Sequence, residues 1–238
     1  MTVPSVQDRI DAYWTRRAPA YDDHQQRPDR RELDRAAWAD VWTAALPLAP
    51  ADVLDVGTGS GHVACLLAAL GHRVTGIDLA EGMLERAREH AASLGVAQPP
   101  RFLRGDAVDP DLPAGSVDAV TGRYVMWTLR EPVAAVRRWA ALLRPGGVVA
   151  VVDSTWFPEG VATGGEAFTA AYDDDVVAAL PLAEARSIDA TADVLRAAGL
   201  LDVTVTPLTA VLDLDRAHGV APGHEVRPQH LVTGRVAG

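Results

Sequence analysis

Short apolar runs alternate with longer amphipathic stretches through the middle of this chain. The apolar runs predict strands near residues 52–56, 72–77, 101–104, 117–122 and 147–153. The amphipathic stretches predict helices over residues 60–70, 80–94 and 131–143. Strands that alternate with helices in this way indicate an α/β fold, a parallel sheet with helices on both of its faces.

Ahead of the first strand, the spacing of apolar residues is helical over residues 5–14 and 31–46. A polar, proline-bearing stretch at residues 18–28 separates the two predicted helices. We expect these residues to form an N-terminal helical cap or lid on the sheet.

Behind the fifth strand the alternation breaks. Residues 154–187 mix glycines, prolines and an acidic run with aromatic side chains, which indicates an insertion. A helix is predicted over residues 189–198, with strands over 201–206 and 229–236. We therefore expect a single domain over residues 1–238, made of the cap (1–50), a cofactor-binding core (51–153), a substrate-side insertion (154–187) and a C-terminal part (188–238).

Composition narrows the class of protein. Of the 238 residues, 48% are hydrophobic, which suits one domain with a sizeable core. The formal net charge of -10 opposes binding to a phosphate backbone and argues against a nucleic-acid partner. Because the chain contains no lysine, Schiff-base and P-loop chemistry are excluded.

The sequence also carries few signs of export. The single cysteine, Cys65, lies in an apolar run, excludes an internal disulfide and is expected in the core. Residues 1–11 hold no apolar signal core, and no stretch approaches the ~20 apolar residues of a membrane span. We expect a soluble cytoplasmic protein with no membrane partner, either a monomer or a homodimer.

The first strand leads into a glycine-dense turn made of Gly57, Gly59 and Gly61. Glycine adopts positive φ readily and lets the backbone approach a ligand closely. Asp78 ends the second strand, where an acid can accept hydrogen bonds from two ribose hydroxyls. His62 stands where a dinucleotide dehydrogenase would carry its third glycine. The two strand ends together indicate a pocket for a nucleoside-containing cofactor.

Three further segments accompany this turn in a characteristic order. Residues 104–107 follow the third strand and place Asp106 where it can meet an exocyclic amine. A second segment, residues 117–129, contains the fourth strand and the residues that follow it, and a Pro-Gly-Gly turn at 145–147 precedes the fifth strand. As a set, these segments resemble the class I S-adenosylmethionine-dependent methyltransferases. Within that class the chain is most similar to the metal-independent small-molecule group that includes ubiquinone- and menaquinone-type enzymes.

The resemblance covers residues 10–155 well and 187–236 loosely. It implies a Rossmann-like three-layer sandwich whose seven-stranded sheet is mostly parallel, with its last strand antiparallel. It also implies S-adenosylmethionine as the cofactor and S-adenosylhomocysteine as the product. The residues that the resemblance assigns to the cofactor are Tyr13, Tyr21, Asp55, Gly57, Thr58, Gly59, Gly61, Asp78, Leu79, Met83, Gly105, Asp106, Ala107 and Arg123.

Several of these residues have a definite counterpart in the family. Asp78 matches the ribose-binding acid, and Asp106 matches the acid that binds the adenine amine. Arg123 lies after the fourth strand, next to the methionine part of the cofactor. Tyr21 belongs to the lid and approaches the cofactor carboxylate, although it could instead pack between helices. Asp106 could instead cap a turn.

Asp55 is flanked by apolar residues on a strand that is predicted to be buried. Burial of a carboxylate is costly unless hydrogen bonds compensate for it. We expect Asp55 to order the glycine turn or the cofactor amine, and a purely structural role stays open.

Methyl transfer from a sulfonium mainly requires alignment of the acceptor with the methyl carbon. An acceptor hydroxyl also needs a nearby base, whereas an amine needs less help. Weak candidates for the base are Tyr124, His24 and Asp153, and the other histidines considered are His218, His224 and His230. No strand-end acid cluster is evident, so no metal is expected. Residues 121–124 do not resemble the Asn-Pro-Pro-Tyr run of enzymes that methylate nucleic-acid bases.

Aromatic side chains near the expected acceptor side suit a planar or apolar molecule. The residues assigned to substrate binding are Trp127, Trp156, Phe157, Phe168 and Tyr172. They could equally pack the insertion onto the sheet.

Three functions are compatible with these features. The favoured one is methyl transfer to an O, N or C atom of a small-molecule acceptor, in a secondary pathway. A cofactor-binding regulatory or assembly protein without methyl transfer is the alternative. A nicotinamide-dependent dehydrogenase is disfavoured by the spacing of the glycine turn and by Asp106.

Overall fold

The computed structural model describes residues 4–161, 165–220 and 225–238. Its strands are β1 Asp52–Val56, β2 Arg73–Asp78, β3 Arg101–Arg104, β4 Val117–Arg123, β5 Leu143–Asp153, β6 Leu201–Pro207 and β7 His230–Arg235. They form one seven-stranded sheet in the order β3-β2-β1-β4-β5-β7-β6. Strands β1 to β5 pair in parallel, whereas β7 is antiparallel to both β5 and β6. The expected Rossmann-like sheet, mostly parallel with an antiparallel last strand, is confirmed.

The helices cover both faces of this sheet. They are α1 Val6–Gln25, α2 Arg31–Ala45, α3 His62–Ala69, α4 Glu81–Ser93, α5 Pro132–Leu142, α6 Glu166–Ala171, α7 Asp174–Ala178, α8 Asp189–Ala197 and α9 Thr209–His218. A single turn of 3-10 helix spans Met126–Thr128. None of the described helices combines the length and the apolar character that crossing a bilayer requires.

Two apolar layers lie on opposite faces of the sheet, because successive strand residues point to opposite sides. In β1, Val53 belongs to the layer beneath α2 and α3, and Leu54 to the layer beneath α5 and α8. Trp42 and Trp139 are the largest fully buried side chains, one in each layer. Cys65 also lies in the layer beneath α2 and α3, where burial raises the pKa of its thiol to about 12. The cysteine is therefore a core residue, as its sequence context predicted.

Helix α1 continues through the polar stretch that separated the two predicted helices. Pro19 lies inside it and removes the hydrogen bond that would reach the Thr15 carbonyl. That carbonyl lies instead against Gly82 in α4, where a Cβ atom would come within 2.6 Å of the oxygen. Near the end of α1, the buried Asp22 accepts a hydrogen bond from His90 of α4 at 2.8 Å. Packing on α4 thus stabilises a helix that the local sequence would interrupt.

The C-terminal half differs from the prediction in two places. Helix α9 lies between β6 and β7, where the sequence pattern predicted no element, and it packs on α2. Strand β5 begins at Leu143, before the Pro-Gly-Gly turn at 145–147 rather than after it. The insertion contains two short helices, α6 and α7, with aromatic side chains between them and α1.

Candidate active site

A cavity of about 550 Å³ opens at the carboxyl edge of the parallel strands, beneath α1. Its volume falls in the range of ~300–1,000 Å³ that is typical of small-ligand sites. Ligands of open α/β sheets bind at this edge, where the strand order reverses. The predicted cofactor-binding residues that line the cavity are Tyr13, Tyr21, Gly57, Gly59, Asp78, Leu79, Met83, Gly105, Asp106, Ala107 and Arg123.

The three glycines of the turn all have positive φ but do not share one environment. Gly57 has φ +60°, and a Cβ there would lie 2.5 Å from a methyl group of Val125. Gly59 has φ +54° and open space around the position of a Cβ. Both line the cavity, whereas Gly61 faces Phe102 and lies outside its lining. Gly61 therefore serves close packing of the turn rather than contact with a ligand.

Asp78 joins the glycine turn to the start of α4. One carboxylate oxygen accepts a hydrogen bond from the Gly59 N–H at 2.9 Å, and the other from the Ala80 N–H at 2.9 Å. Burial raises the pKa of Asp78, while these two N–H groups oppose the shift. The carboxylate is thus fixed on the cavity wall, with oxygen lone pairs left for a ligand.

Asp55 lies beneath the turn, beside a recess of about 30 Å³ rather than in the main cavity. Its two oxygens accept hydrogen bonds from the hydroxyls of Thr58 at 2.6 Å and Thr121 at 2.9 Å. Burial raises the pKa of Asp55 to about 6. Asp55 and Thr58 therefore brace the turn, and neither reaches the main cavity.

Asp106 lines the cavity at the loop that follows β3. One oxygen caps a turn by accepting a hydrogen bond from the Val108 N–H at 2.8 Å. The other pairs with the Arg130 guanidinium at 2.5 Å. Leu79 and Met83 provide apolar walls in the same lining. This part of the cavity can hold a flat, partly polar ring.

Arg123 carries a positive charge into the cavity from the end of β4. Its guanidinium donates a hydrogen bond to the Gln25 side chain at 3.0 Å. It also lies 5.0 Å from the centroid of the Trp38 ring and 4.7 Å from that of Tyr124. In the described part of the chain, no carboxylate forms an ion pair with Arg123, so this cation is available to an anionic group.

The predicted aromatic residues form a wall, here called the aromatic wall, on the side of the insertion. Those that line the cavity are Trp127, Trp156, Phe157 and Phe168. Phe157 and Phe168 stack with their centroids 5.0 Å apart. Tyr172 stands behind Phe168, is 1% exposed and accepts a hydrogen bond from Trp14 at 2.9 Å. Tyr172 is therefore outside the cavity lining and packs the wall from behind.

Asp153, a candidate base, lies outside the cavity lining, and its oxygens are occupied. They accept hydrogen bonds from the Ser154 N–H at 2.8 Å, the Trp127 N–H at 3.3 Å and the Trp156 indole. Burial raises the pKa of this carboxyl to about 7. Asp153 therefore holds the aromatic wall in place.

The candidate histidines are spread over the structure. His24 lines the cavity, whereas His218 and His230 lie outside its lining. His218 is 3.9 Å from an Asp29 oxygen, and His230 is paired with Asp153 in the sheet. His224 lies outside the described residues. Geometry thus leaves His24 and Tyr124 as candidates on the cavity wall.

Sequence reasoning missed a polar group of cavity residues at the end of the cavity near α2 and α9. Arg30 donates to Asp215 at 2.6 Å and pairs with Asp34 at 2.7 Å. The Gln229 amide donates to Asp215 at 2.8 Å, and Tyr124 donates its hydroxyl hydrogen to the Gln229 carbonyl oxygen. No sequence signal links these positions, since they come from α2, α9, the end of β4 and the loops before α2 and β7.

Comparison with known proteins agrees with this geometry. Residues 54–151 match the family described as methyltransferase domain, and this segment runs from β1 into β5. The chain carries a class I S-adenosylmethionine-dependent methyltransferase domain, and the cofactor of this class is S-adenosylmethionine. The family resemblance found in the sequence is thereby confirmed.

Curated relatives match less than half of this chain. The ubiquinone biosynthesis O-methyltransferase of Xanthomonas euvesicatoria pv. vesicatoria (strain 85-10) is 40% identical over 102 residues, 43% of this chain and 42% of that protein. Its counterpart in Xanthomonas campestris pv. campestris (strain B100) is 37% identical over 110 residues, 46% of each chain. The matched part spans less than half the length of these relatives.

Solved structures extend the likeness to the whole fold. The (4+2)-cyclase SpnF has a TM-score of 0.70 at 17% identity, with 100% of this chain and 98% of that chain covered. Phosphoethanolamine N-methyltransferase 2 of Haemonchus contortus, in complex with phosphomonomethylethanolamine and S-adenosylhomocysteine, has a TM-score of 0.71 at 17% identity. That comparison covers 99% of this chain and 61% of that chain. At such identities the likeness concerns the fold alone.

Proposed function

We propose that this protein transfers a methyl group from S-adenosylmethionine to an O, N or C atom of a small-molecule acceptor in secondary metabolism, without a metal. One observation carries the proposal. A single cavity runs from Asp78 and the glycine turn to the aromatic wall, so a cofactor and an acceptor can meet in one space. The methyltransferase domain match supports the same reading.

The cofactor end of the cavity fits an adenosyl group. Asp78 would accept hydrogen bonds from the ribose hydroxyls, because its carboxylate is fixed and acceptor-only when ionised. Leu79 and Met83 would contact the faces of the adenine. The Asp106 oxygens would meet the adenine amine with the lone pairs that Val108 and Arg130 leave free.

The methionine end fits as well. Arg123 supplies a guanidinium without a carboxylate partner among the described residues, which suits the carboxylate of the cofactor. Tyr21 and Tyr13 line the same cavity from α1. Gly57 and Gly59 line the cavity with backbone alone, which permits close approach of a ligand.

When bound, S-adenosylmethionine supplies an activated methyl group on a positively charged sulfur. The residues of this chain align an acceptor with that methyl and keep water out, and such alignment can lower a barrier by ~7–11 kcal/mol. Helix α1 contributes by covering the cavity. His24 is the cavity-lining side chain that we propose for proton transfer when the acceptor is a hydroxyl, because the hydroxyl hydrogen of Tyr124 is already donated to Gln229.

The acceptor end favours a planar or apolar molecule. Flat apolar surfaces are presented there by Trp127, Trp156 and Phe157. Contact between two aromatic rings contributes ~0.5–1.5 kcal/mol of favourable free energy in addition to the burial of their surface. The curated relatives are named for O-methylation in ubiquinone biosynthesis. Their names support the proposal that this protein methylates an oxygen atom of a ring-bearing acceptor. The net charge of -10 argues against a nucleic-acid acceptor.

One comparison keeps a second function in view. SpnF, which matches this fold over its whole length, is named as a cyclase rather than a methyltransferase. A fold of this kind can therefore host other reactions. Under this alternative the chain would bind S-adenosylmethionine without transferring its methyl group.

Two measurements on the purified protein separate these functions. Calorimetry with S-adenosylmethionine, S-adenosylhomocysteine and NAD should show binding of the first two and none of NAD. Turnover of methyl-labelled S-adenosylmethionine on a panel of phenols, amines and carboxylic acids should label at least one acceptor. Binding without any labelling would favour the alternative, and binding of NAD alone would contradict both.

A further inference from the structure

A chain of hydrogen bonds crosses the end of the cavity near α2 and α9. It runs from Tyr124 to Gln229, from Gln229 to Asp215, and from Arg30 to both Asp215 and Asp34. All five side chains line the cavity. Arg30, Asp215 and Gln229 are only 7%, 4% and 5% exposed, so water competes little for their hydrogen-bonding groups.

The hydrogen bonds from Tyr124 through Gln229 to Asp215 can point in one direction only, from donor to acceptor. A carboxylate accepts hydrogen bonds and donates none, so Asp215 requires the amide N–H₂ of Gln229 to face it. The Gln229 carbonyl oxygen must then face Tyr124. An amide oxygen donates nothing, so the Tyr124 hydroxyl must be the donor between them. Its single hydrogen is committed to Gln229, and only oxygen lone pairs remain for other partners.

The position of Tyr124 suits contact with an acceptor. Its ring meets the Trp156 ring edge-on at 4.9 Å between centroids and lies 4.7 Å from the Arg123 guanidinium. Tyr124 therefore stands between the aromatic wall and the proposed methionine end of the cofactor. Because Gln229 and Asp215 also line the cavity, the hydroxyl end of the ring belongs to the cavity wall.

The backbone and the electrostatics keep Tyr124 in this state. Its φ of +63° is unusual for a residue with a bulky side chain and requires support from its surroundings. Its N–H donates to the Val152 carbonyl at 2.8 Å, which anchors that conformation to β5. Burial raises the pKa of the Tyr124 hydroxyl, so the group remains a neutral phenol.

We propose that Asp215 and Gln229 are positioning residues that turn the Tyr124 hydroxyl hydrogen away from the cavity. Tyr124 then offers an oxygen that accepts a hydrogen bond, and it selects methyl acceptors that carry an O–H or N–H group. This inference rests on the proposed methyl transfer and adds the residues that determine which acceptors bind. A molecule whose hydroxyl is already methylated cannot donate to Tyr124, so the same contact favours release of an O-methylated product.

The test compares 2-naphthol with 2-methoxynaphthalene as probes of the protein saturated with S-adenosylhomocysteine. The two probes share their rings and differ in the O–H donor. A neutral hydrogen bond contributes enough to make wild type bind naphthol roughly fivefold more tightly. Calorimetry first tests whether S-adenosylhomocysteine binds. Failure at that step counts against the proposed function and not against the proposed direction of the hydrogen bonds.

Variants then test the direction of the chain. In Asp215→Asn, the new amide can donate to Gln229, which can turn and donate to Tyr124, so the hydroxyl hydrogen becomes free to face the cavity. The preference for naphthol should fall to about onefold, as it should in Tyr124→Phe. Gln229→Met should also lose the preference for naphthol, and it replaces Asp215→Asn in the test if that variant does not fold.

Asp34→Asn is the matched control, because it also removes an ion pair of Arg30 but leaves the contacts of Gln229 intact. Its preference for naphthol should equal that of wild type. Equal binding of both probes by wild type would overturn the proposal, as would binding of neither. A preference that survives in Asp215→Asn and Gln229→Met would show that these residues do not orient Tyr124.

Discussion

At the scale of single residues, similar acids have acquired different tasks through their surroundings. Asp78 faces the cavity, Asp55 braces the glycine turn, and Asp153 holds the aromatic wall. Burial raises the pKa of all three. The partners of each carboxylate, and not its position at a strand end, decide which one can bind a ligand.

Asp78→Ala should weaken S-adenosylhomocysteine binding by roughly 1–3 kcal/mol, the usual range for hydrogen bonds to a charged group. The loss includes the two contacts that hold Gly59 and Ala80 in place. Calorimetry measures the change. Asp193→Ala removes an exposed acid of α8 outside the cavity lining and should leave the affinity unaltered. Unchanged affinity in Asp78→Ala would contradict the proposal that Asp78 binds the ribose hydroxyls.

Asp153 should make stability depend on pH. Its pKa is about 7 in the folded protein against the ordinary 3.8, so the folded state holds this proton more tightly than the unfolded state does. The contribution of this carboxyl to the free energy of unfolding is complete below about pH 4 and is lost as pH rises to about 7. Its total size is on the order of 4 kcal/mol at most.

Urea unfolding between pH 4.5 and 8 at ~0.5-unit steps gives the measurement, with Asp153→Asn as the comparison. As pH rises through this window, the unfolding free energy of wild type should fall relative to that of Asp153→Asn. Asp193→Asn, an exposed acid, should run parallel to wild type. Parallel curves for Asp153→Asn as well would show that burial does not shift this carboxyl.

At the scale of elements, each part of the fold positions one side of the cavity. The turn between β1 and α3 supplies bare backbone, α1 covers the opening, and the insertion supplies the aromatic wall. Within the turn, Gly59 borders the cavity and Gly61 packs on Phe102. Replacement of these two glycines should therefore have different consequences.

Gly61→Ala should destabilise the protein by roughly 2–5 kcal/mol, because it adds the cost of a positive φ to a clash 2.8 Å from Phe102. Gly59→Ala meets open space and should cost about 1–2 kcal/mol for the positive φ alone. Its larger effect should be on cofactor binding, since the new methyl group enters the cavity wall. Urea unfolding and calorimetry measure both, and the reverse order of effects would refute this division.

At the scale of the whole molecule, the cofactor side was more predictable than the acceptor side. Strands β1 and β3 have the predicted bounds, and the glycine turn and Asp78 lie on the cavity wall. These features are local, since a strand, a turn and the next strand end lie close together in the chain. Physical chemistry of short segments is enough to foresee them.

The acceptor side depends on contacts between distant segments. Arg30 and Asp215 are 185 positions apart and meet only because α9, which the pattern did not predict, packs on α2. Helix α1 passes through Pro19 because α4 supports it. Periodicity and spacing carry no information about such pairings, so Gln229 and Asp215 could be found only in three dimensions.

A crystal structure of the protein with S-adenosylhomocysteine tests the central claim most directly. The account predicts ribose hydroxyls on Asp78, adenine between Leu79 and Met83, and the carboxylate near Arg123, with the sulfur facing Tyr124. A ligand bound outside this cavity, or with its ribose away from Asp78, would contradict the account.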